Sequence, residues 1–143
     1  MRGRSMKSYE KPLTLWGLLW ALPVTLAGIL VALLSLSSWG LKDGMIVCRG
    51  NRGLAWLFLG RGGFAGMTLG RVVLVVRPLS RALWMHEMEH ARQAERWGLL
   101  FLPAYLVRHL RYGYDGNPFE RDAIGVAAEF EADYPEEARE VVA

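Results

Sequence analysis

Between Pro12 and Leu41 the chain carries no charged residue, and from Leu13 to Leu36 it is almost continuously apolar. A run of that length is enough to cross a bilayer, which takes ~20 residues. Trp16 and Trp20 near one end and Trp39 near the other suit the two interfaces, and Pro23 would kink such a helix without forbidding it. The pattern therefore predicts an N-terminal transmembrane helix, retained as an anchor. A cleaved signal peptide is the alternative. Arg2, Arg4, Lys7 and Lys11 would give it a basic start, but the apolar run exceeds the usual length of about 7–15 residues, and Ser35-Leu36-Ser37 is a poor cleavage site. Four basic residues precede the run, against Lys42, Arg49 and Arg52 after it. The positive-inside rule thus favours, by one charge, a single-pass protein whose remaining chain faces outside the cytoplasm.

From Gly44 the pattern changes to short apolar runs between glycine turns. Met45 to Cys48, Leu54 to Leu59, Gly66 to Leu69 and Val72 to Val76 predict strands, with turns at Arg49 to Gly53 and Gly60 to Gly63. The expected product is a small antiparallel sheet. Pro78-Leu79 ends the last strand, and Ser80 can cap a helix running from about Arg81 to Trp97, with Gly98 as its stop. Trp84, Met88 and Ala91 form an apolar stripe on it; His86, His90, Gln93 and Trp97 form another stripe. Leu99 to Val107 is apolar but too short to span, so it predicts a core helix or one lying in a membrane interface. A turn at Tyr112 to Gly116 leads to a helix from Pro118 to about Asp133, which Pro135 ends; Glu136 to Ala143 reads as a short helix or a frayed tail. The fold class is α+β, with residues 1–41 as basic tail and anchor and 42–143 as one small domain.

His86-Glu87-Met88-Glu89-His90 reads H-E-x-x-H. On a helix, positions i and i+4 share a face, so both imidazoles can meet one metal ion, the arrangement of zinc metalloproteases. Glu87 lies about 100° round the helix from His86, beside the metal without ligating it. There it can take a proton from a zinc-bound water and pass it to a leaving amine. Against this stands the plain alternative of a polar helix face with two satisfied histidines.

A catalytic zinc needs three protein ligands and an open position. The extension H-x-x-G-x-x-H is absent, because Gln93 and Arg96 occupy the places of its glycine and its third histidine. Three candidates remain. His109, in Leu106-Val107-Arg108-His109-Leu110, reads as a surface histidine. Glu120 falls at the third helical position after Asn117-Pro118, where it would also complete a capping box. Glu129, followed by Asp133, sits in an acidic stretch that suits a solvated face. Spacing does not choose between Glu120 and Glu129. Gln93 is a candidate to support a ligand or to face a substrate.

His86-Glu87-x-x-His90 with Gln93, then Leu102-Pro103-Ala104-Tyr105-Leu106, Tyr114 and Asn117-Pro118-Phe119-Glu120-Arg121-Asp122-Ala123, resembles small bacterial zincins of the gluzincin type over roughly residues 66 to 128. The resemblance implies His86, His90 and Glu120 as ligands to one Zn²⁺ and Glu87 as general base. The run Glu129-Phe130-Glu131-Ala132-Asp133 is instead similar to the third-ligand motif of gluzincins embedded in membranes. Tyr105, Tyr112, Tyr114, Arg108 and His109 are all candidates to stabilise an oxyanion, and nothing in their spacing selects one.

The net charge of +3 hides an asymmetry: residues 1–111 hold 15 Arg or Lys against 5 Asp or Glu, and residues 112–143 hold 2 against 9. The basic part suits anionic lipid headgroups. No motif supports nucleic-acid binding. The single Cys48 excludes an intramolecular disulfide and reads as a small buried hydrophobe. The expected function is zinc-dependent peptide-bond hydrolysis by a membrane-anchored metallopeptidase acting on peptide or protein substrates. The rivals are a non-catalytic zinc-stabilised module and a membrane scaffold in which the motif is a coincidence.

Overall fold

A computed structural model describes residues 6–50 and 53–143. Arg2 and Arg4 of the basic tail, and Asn51 and Arg52 of an expected turn, lie outside the described residues. After a 3-10 turn at Ser8–Glu10 come helices α1 (Leu15–Trp20) and α2 (Leu22–Leu34), strands β1 (Ser38–Lys42) and β2 (Met45–Arg49), and a short helix α3 (Gly53–Ala55) that widens into a π turn over Trp56–Gly60. Strands β3 (Gly66–Leu69) and β4 (Val72–Val75) follow, then helices α4 (Arg81–Trp97), α5 (Phe101–Gly116) and α6 (Pro118–Asp133). The fold is α+β, with sheet order β1-β2-β4-β3.

The sheet is mixed, which corrects the expected antiparallel one. β1 and β3 pair antiparallel with β2 and β4, but β2 and β4 run parallel, Ile46 facing Val72 and Arg49 facing Val75. The β1–β2 turn is Asp43-Gly44, both residues at positive φ (50° and 76°), the type I′ geometry that matches strand twist. Leu54 to Leu59, expected as a strand, is helical instead.

Both faces of the sheet are covered, which explains why Val72 to Val75 is a continuous buried run rather than an alternating one. Cys48, Val72 and Leu74 pack with Ala21, Val24 and Ala32 of α1–α2, while Met45, Val47, Val73 and Val75 pack with Trp84, Met88 and Ala91 of α4. Helix α6 packs on α4.

The N-terminal apolar run is therefore not a transmembrane helix. It breaks at Ala21 into pieces of 6 and 13 residues, and no helix among the described residues is long and apolar enough to cross a membrane. At 1.5 Å per residue α2 reaches about 20 Å, against a hydrocarbon core of ~30 Å. The expected single-pass location and outward orientation fall with the span. The physical reason is that the sheet needs a lid. Gly28 lies so close to β4 that a Cβ there would come within 2.8 Å of Val72 Cβ. The Thr25 hydroxyl accepts from the Arg71 backbone N–H (3.1 Å), and Arg71 is in turn paired with Glu95 at 2.6 Å while donating to the Thr14 carbonyl, also at 2.6 Å. That ion pair is nearly buried, so deleting either partner would cost on the order of 3–5 kcal/mol by stranding the other charge.

Candidate metal centre

Ser80 caps α4, its hydroxyl accepting from Leu83 N at 3.3 Å, and Gly98, with φ 55°, ends it. The helix thus begins and ends as its sequence predicts. With Trp84, Met88 and Ala91 held in the core, the helical period turns His86, His90 and Gln93 together towards α6, and all three are buried. Helix α6 starts at Asn117, whose Oδ1 accepts from Phe119 N at 3.1 Å, with Pro118 in the first turn. Glu120 does not complete the capping box. Its carboxylate turns inward, Oε2 lying 3.2 Å from His86 Nε2 and Oε1 3.4 Å from His90 Nε2.

The two Nε2 atoms are 3.1 Å apart. These separations are close to the edges of about 3.4 Å of a tetrahedron with bonds of ~2.1 Å, the length of a metal bond to imidazole nitrogen or carboxylate oxygen. Glu120 Oε2 is buried without a well-aligned hydrogen bond, so one acceptor in the group has an unused lone pair. The buried cluster of His86, His90 and Glu120 can hold a metal ion.

His90 and Glu120 are each held from behind. Gln93 Nε2 donates to the Phe119 carbonyl (2.8 Å), which turns Gln93 Oε1 towards His90 Nδ1 at 2.9 Å. An acceptor there holds a proton on Nδ1, so a metal at this site would take Nε2 in place of the Nε2 proton that Glu120 otherwise accepts. The Tyr105 hydroxyl donates to Glu120 Oε1 at 2.5 Å. Burial would raise the Glu120 pKa, but the His86 and His90 imidazoles facing it, the His90 charge and the Tyr105 hydroxyl outweigh it and hold the carboxyl ionised, well below the usual range. Burial works to lower the His90 pKa. Its hydrogen bond to Glu120, the charge of Glu87 and the contact with Gln93 reverse that, and the net direction is upward. Burial and the Glu120 carboxylate push the Tyr105 and Tyr114 phenols well above their ordinary value, so both stay protonated donors.

Glu87, also buried, sits one step round α4, and its Oε2 accepts from the Thr68 hydroxyl at 2.6 Å. Thr68 belongs to β3, an edge strand. Sequence reasoning missed it; its place in a half-buried strand before the motif was the only signal. A cavity of about 440 Å³ opens beside these groups. Its walls are mostly apolar, including Leu59, Phe64, Met67, Leu69, Phe101 and Leu102, and His86, Glu87, His90 and Glu120 lie together on its polar side.

The other third-ligand candidates lie elsewhere. Glu129 is nine residues beyond Glu120, about 13.5 Å further along the helix, and pairs with Lys7 at 3.4 Å. His109 stacks on the Tyr105 ring at 6.0 Å and lines the cavity, outside the three-residue cluster. Of the candidate oxyanion donors, Tyr105 serves Glu120, Arg108 lies over the Trp97 and Phe119 rings, Tyr112 lies under the Arg111 guanidinium, and Tyr114 lines the cavity. Comparison with known proteins gives no match to a family model, a curated protein or a solved structure.

Proposed function

We propose that this chain is a zinc-dependent peptide hydrolase, with His86, His90 and Glu120 holding the metal and Glu87 as the general base. The observation that carries this is the joint arrangement of the three ligand atoms with a fourth group, Glu87, buried beside them and fixed by Thr68. Two imidazoles and one carboxylate are the donor set of catalytic zinc sites, and the cluster has three members among the described residues, which leaves a coordination position open. Zinc bound there would supply Lewis acidity to a water and to a substrate carbonyl.

The chain's own residues then do the following. Thr68 orients the Glu87 carboxylate, which accepts a proton from the attacking water and returns it to the leaving amine. Gln93 fixes the orientation of the His90 ring through Nδ1, and Tyr105 holds the Glu120 carboxylate. The outer side of β3, at the sheet edge, offers backbone groups to an extended peptide, and the apolar cavity takes a side chain from it. The rival, a structural zinc module, needs a fourth protein ligand, and none joins the cluster among the described residues.

The test pairs two measurements on purified protein, zinc content and peptide hydrolysis. Wild type should carry one zinc per chain and Glu120→Ala should lose it. Glu87→Gln should keep the zinc and lose activity by about 10²–10⁴-fold. Activity that survives Glu87→Gln would overturn the mechanism, and folded protein that binds no added zinc would overturn the site.

A further inference from the structure

We propose that the site cleaves within uncharged, extended stretches of a protein chain, with a bulky apolar side chain such as Leu or Phe beside the bond that breaks. It is then an endopeptidase for apolar segments and not an enzyme that trims chain ends. The inference rests on the hydrolytic reading above and adds the substrate class to it. All four residues of β3, Gly66 to Leu69, line the cavity. Side chains alternate across a strand: Thr68 turns to Glu87 on α4, whereas Leu69 lies against Gly28 of α2 on the other side of the sheet. A cavity over one face of the sheet would not meet all four. It therefore flanks the outer edge of β3, where a further strand would sit. At ~3.3 Å per residue it follows about 13 Å of strand, the length of four residues of an extended peptide.

Size and charge select what enters. The buried Leu59, Leu69 and Phe101 line the cavity, and so do Phe64 and Leu106, which are 43% and 56% exposed and leave apolar surface for a substrate to cover. Its volume of about 440 Å³ suits a large apolar group; a small side chain would leave water against apolar walls. Among the described residues, no arginine or lysine lines it. Its two carboxylates are both engaged, Glu87 with Thr68, and Glu120 with the two histidines and Tyr105. The remaining imidazole, His109, stacks flat on Tyr105, the ring planes 11° apart. A terminal carboxylate, a terminal ammonium or a charged side chain would thus lose its water beside the apolar walls and find no free opposite charge. A peptide bond in the interior of a chain, with neutral neighbours, meets no such cost.

The test uses the full chain and a peptide series that differs only in one central residue, Phe, Leu, Ala, Glu or Lys. Binding of the peptides with both ends blocked is followed by fluorescence anisotropy in Glu87→Gln. Cleavage of the same peptides, with blocked and with free ends, is followed by mass in zinc-loaded wild type. The Phe and Leu peptides should bind and be cleaved roughly 10–100-fold better than the Ala peptide, and Glu and Lys should be worse still. Blocking the ends should leave the rate nearly unchanged. Met67 lines the cavity from β3 and is 37% exposed, so Met67→Arg should keep the fold by circular dichroism and keep its zinc. It should weaken the Phe peptide and strengthen the Glu peptide, a reversal that lost stability does not produce. Cleavage that requires a free end, equal binding of the Phe, Ala and Glu peptides, or a folded Met67→Arg with unchanged preference would overturn the inference and leave hydrolysis standing. Selective binding of the Phe peptide with no cleavage by zinc-loaded wild type would support the apolar recognition and overturn the hydrolytic reading.

Discussion

Gln93 Oε1 stands 2.9 Å from His90 Nδ1, and the orientation of that amide is fixed by the Phe119 carbonyl, one residue before Glu120. One side chain thus orients a candidate ligand on α4 and ties it to the start of the helix that carries another. Gln93→Ala should weaken zinc binding by about 10–100-fold in competition with a chelator, with the fold retained. Gln93→Glu should weaken it less, since a carboxylate still accepts from Nδ1 but loses the donation to Phe119. Equal affinity in wild type and Gln93→Ala would mean that His90 needs no such support.

Thr68 should matter to rate and not to metal. Thr68→Val keeps the β-branched shape and removes the hydroxyl that holds Glu87. Peptide hydrolysis should drop by roughly tenfold or more, the worth of a hydrogen bond to a charged group at about 1.5–3 kcal/mol, with zinc still stoichiometric. Thr68→Ser should recover most of the rate. Loss of zinc in Thr68→Val would place the residue in the metal site instead.

Two glycines in helices should respond with opposite signs. Gly28→Ala drives a Cβ to 2.8 Å from Val72 Cβ and 2.9 Å from the Leu69 carbonyl oxygen, so α2 must lift from the sheet. The cost should be about 1–3 kcal/mol, seen as a lower melting temperature. Gly125→Ala, on α6 with nothing within 4 Å of the new Cβ, should stabilise by about 0.5–1 kcal/mol through helix propensity.

Cys48 should be unreactive in the native state. Burial pushes its thiol up to about 11, so near pH 8 it is protonated as well as enclosed. A thiol reagent at that pH should label the chain only after denaturant is added. Rapid labelling of the native protein would show that the α2–sheet layer opens readily.

The sequence by itself determined the elements that local chemistry controls. Ser80 and Gly98 bound α4, Asn117-Pro118 starts α6, and the H-E-x-x-H spacing puts two imidazoles on one face, because caps and helical period depend on residues within a few positions of each other. Even β1, absent from the predicted elements, is marked by the Asp43-Gly44 hairpin pair. Only the tertiary structure decided the rest. Leu13 to Leu36 reads alike whether it crosses a bilayer or covers a sheet, since apolar length records a need for burial and not its partner; Gly28 against Val72 shows which partner was found. Leu54 to Leu59 is equally ambiguous between strand and helix when both kinds of element are buried. Glu120, and not Glu129, joins the two histidines because the packing of α6 on α4 aims one carboxylate at His86 and leaves the other beside Lys7. Thr68 and Gln93 acquire their roles from neighbours 19 and 26 residues away, and contacts at that range are set by the packing of whole elements, which a local pattern does not encode.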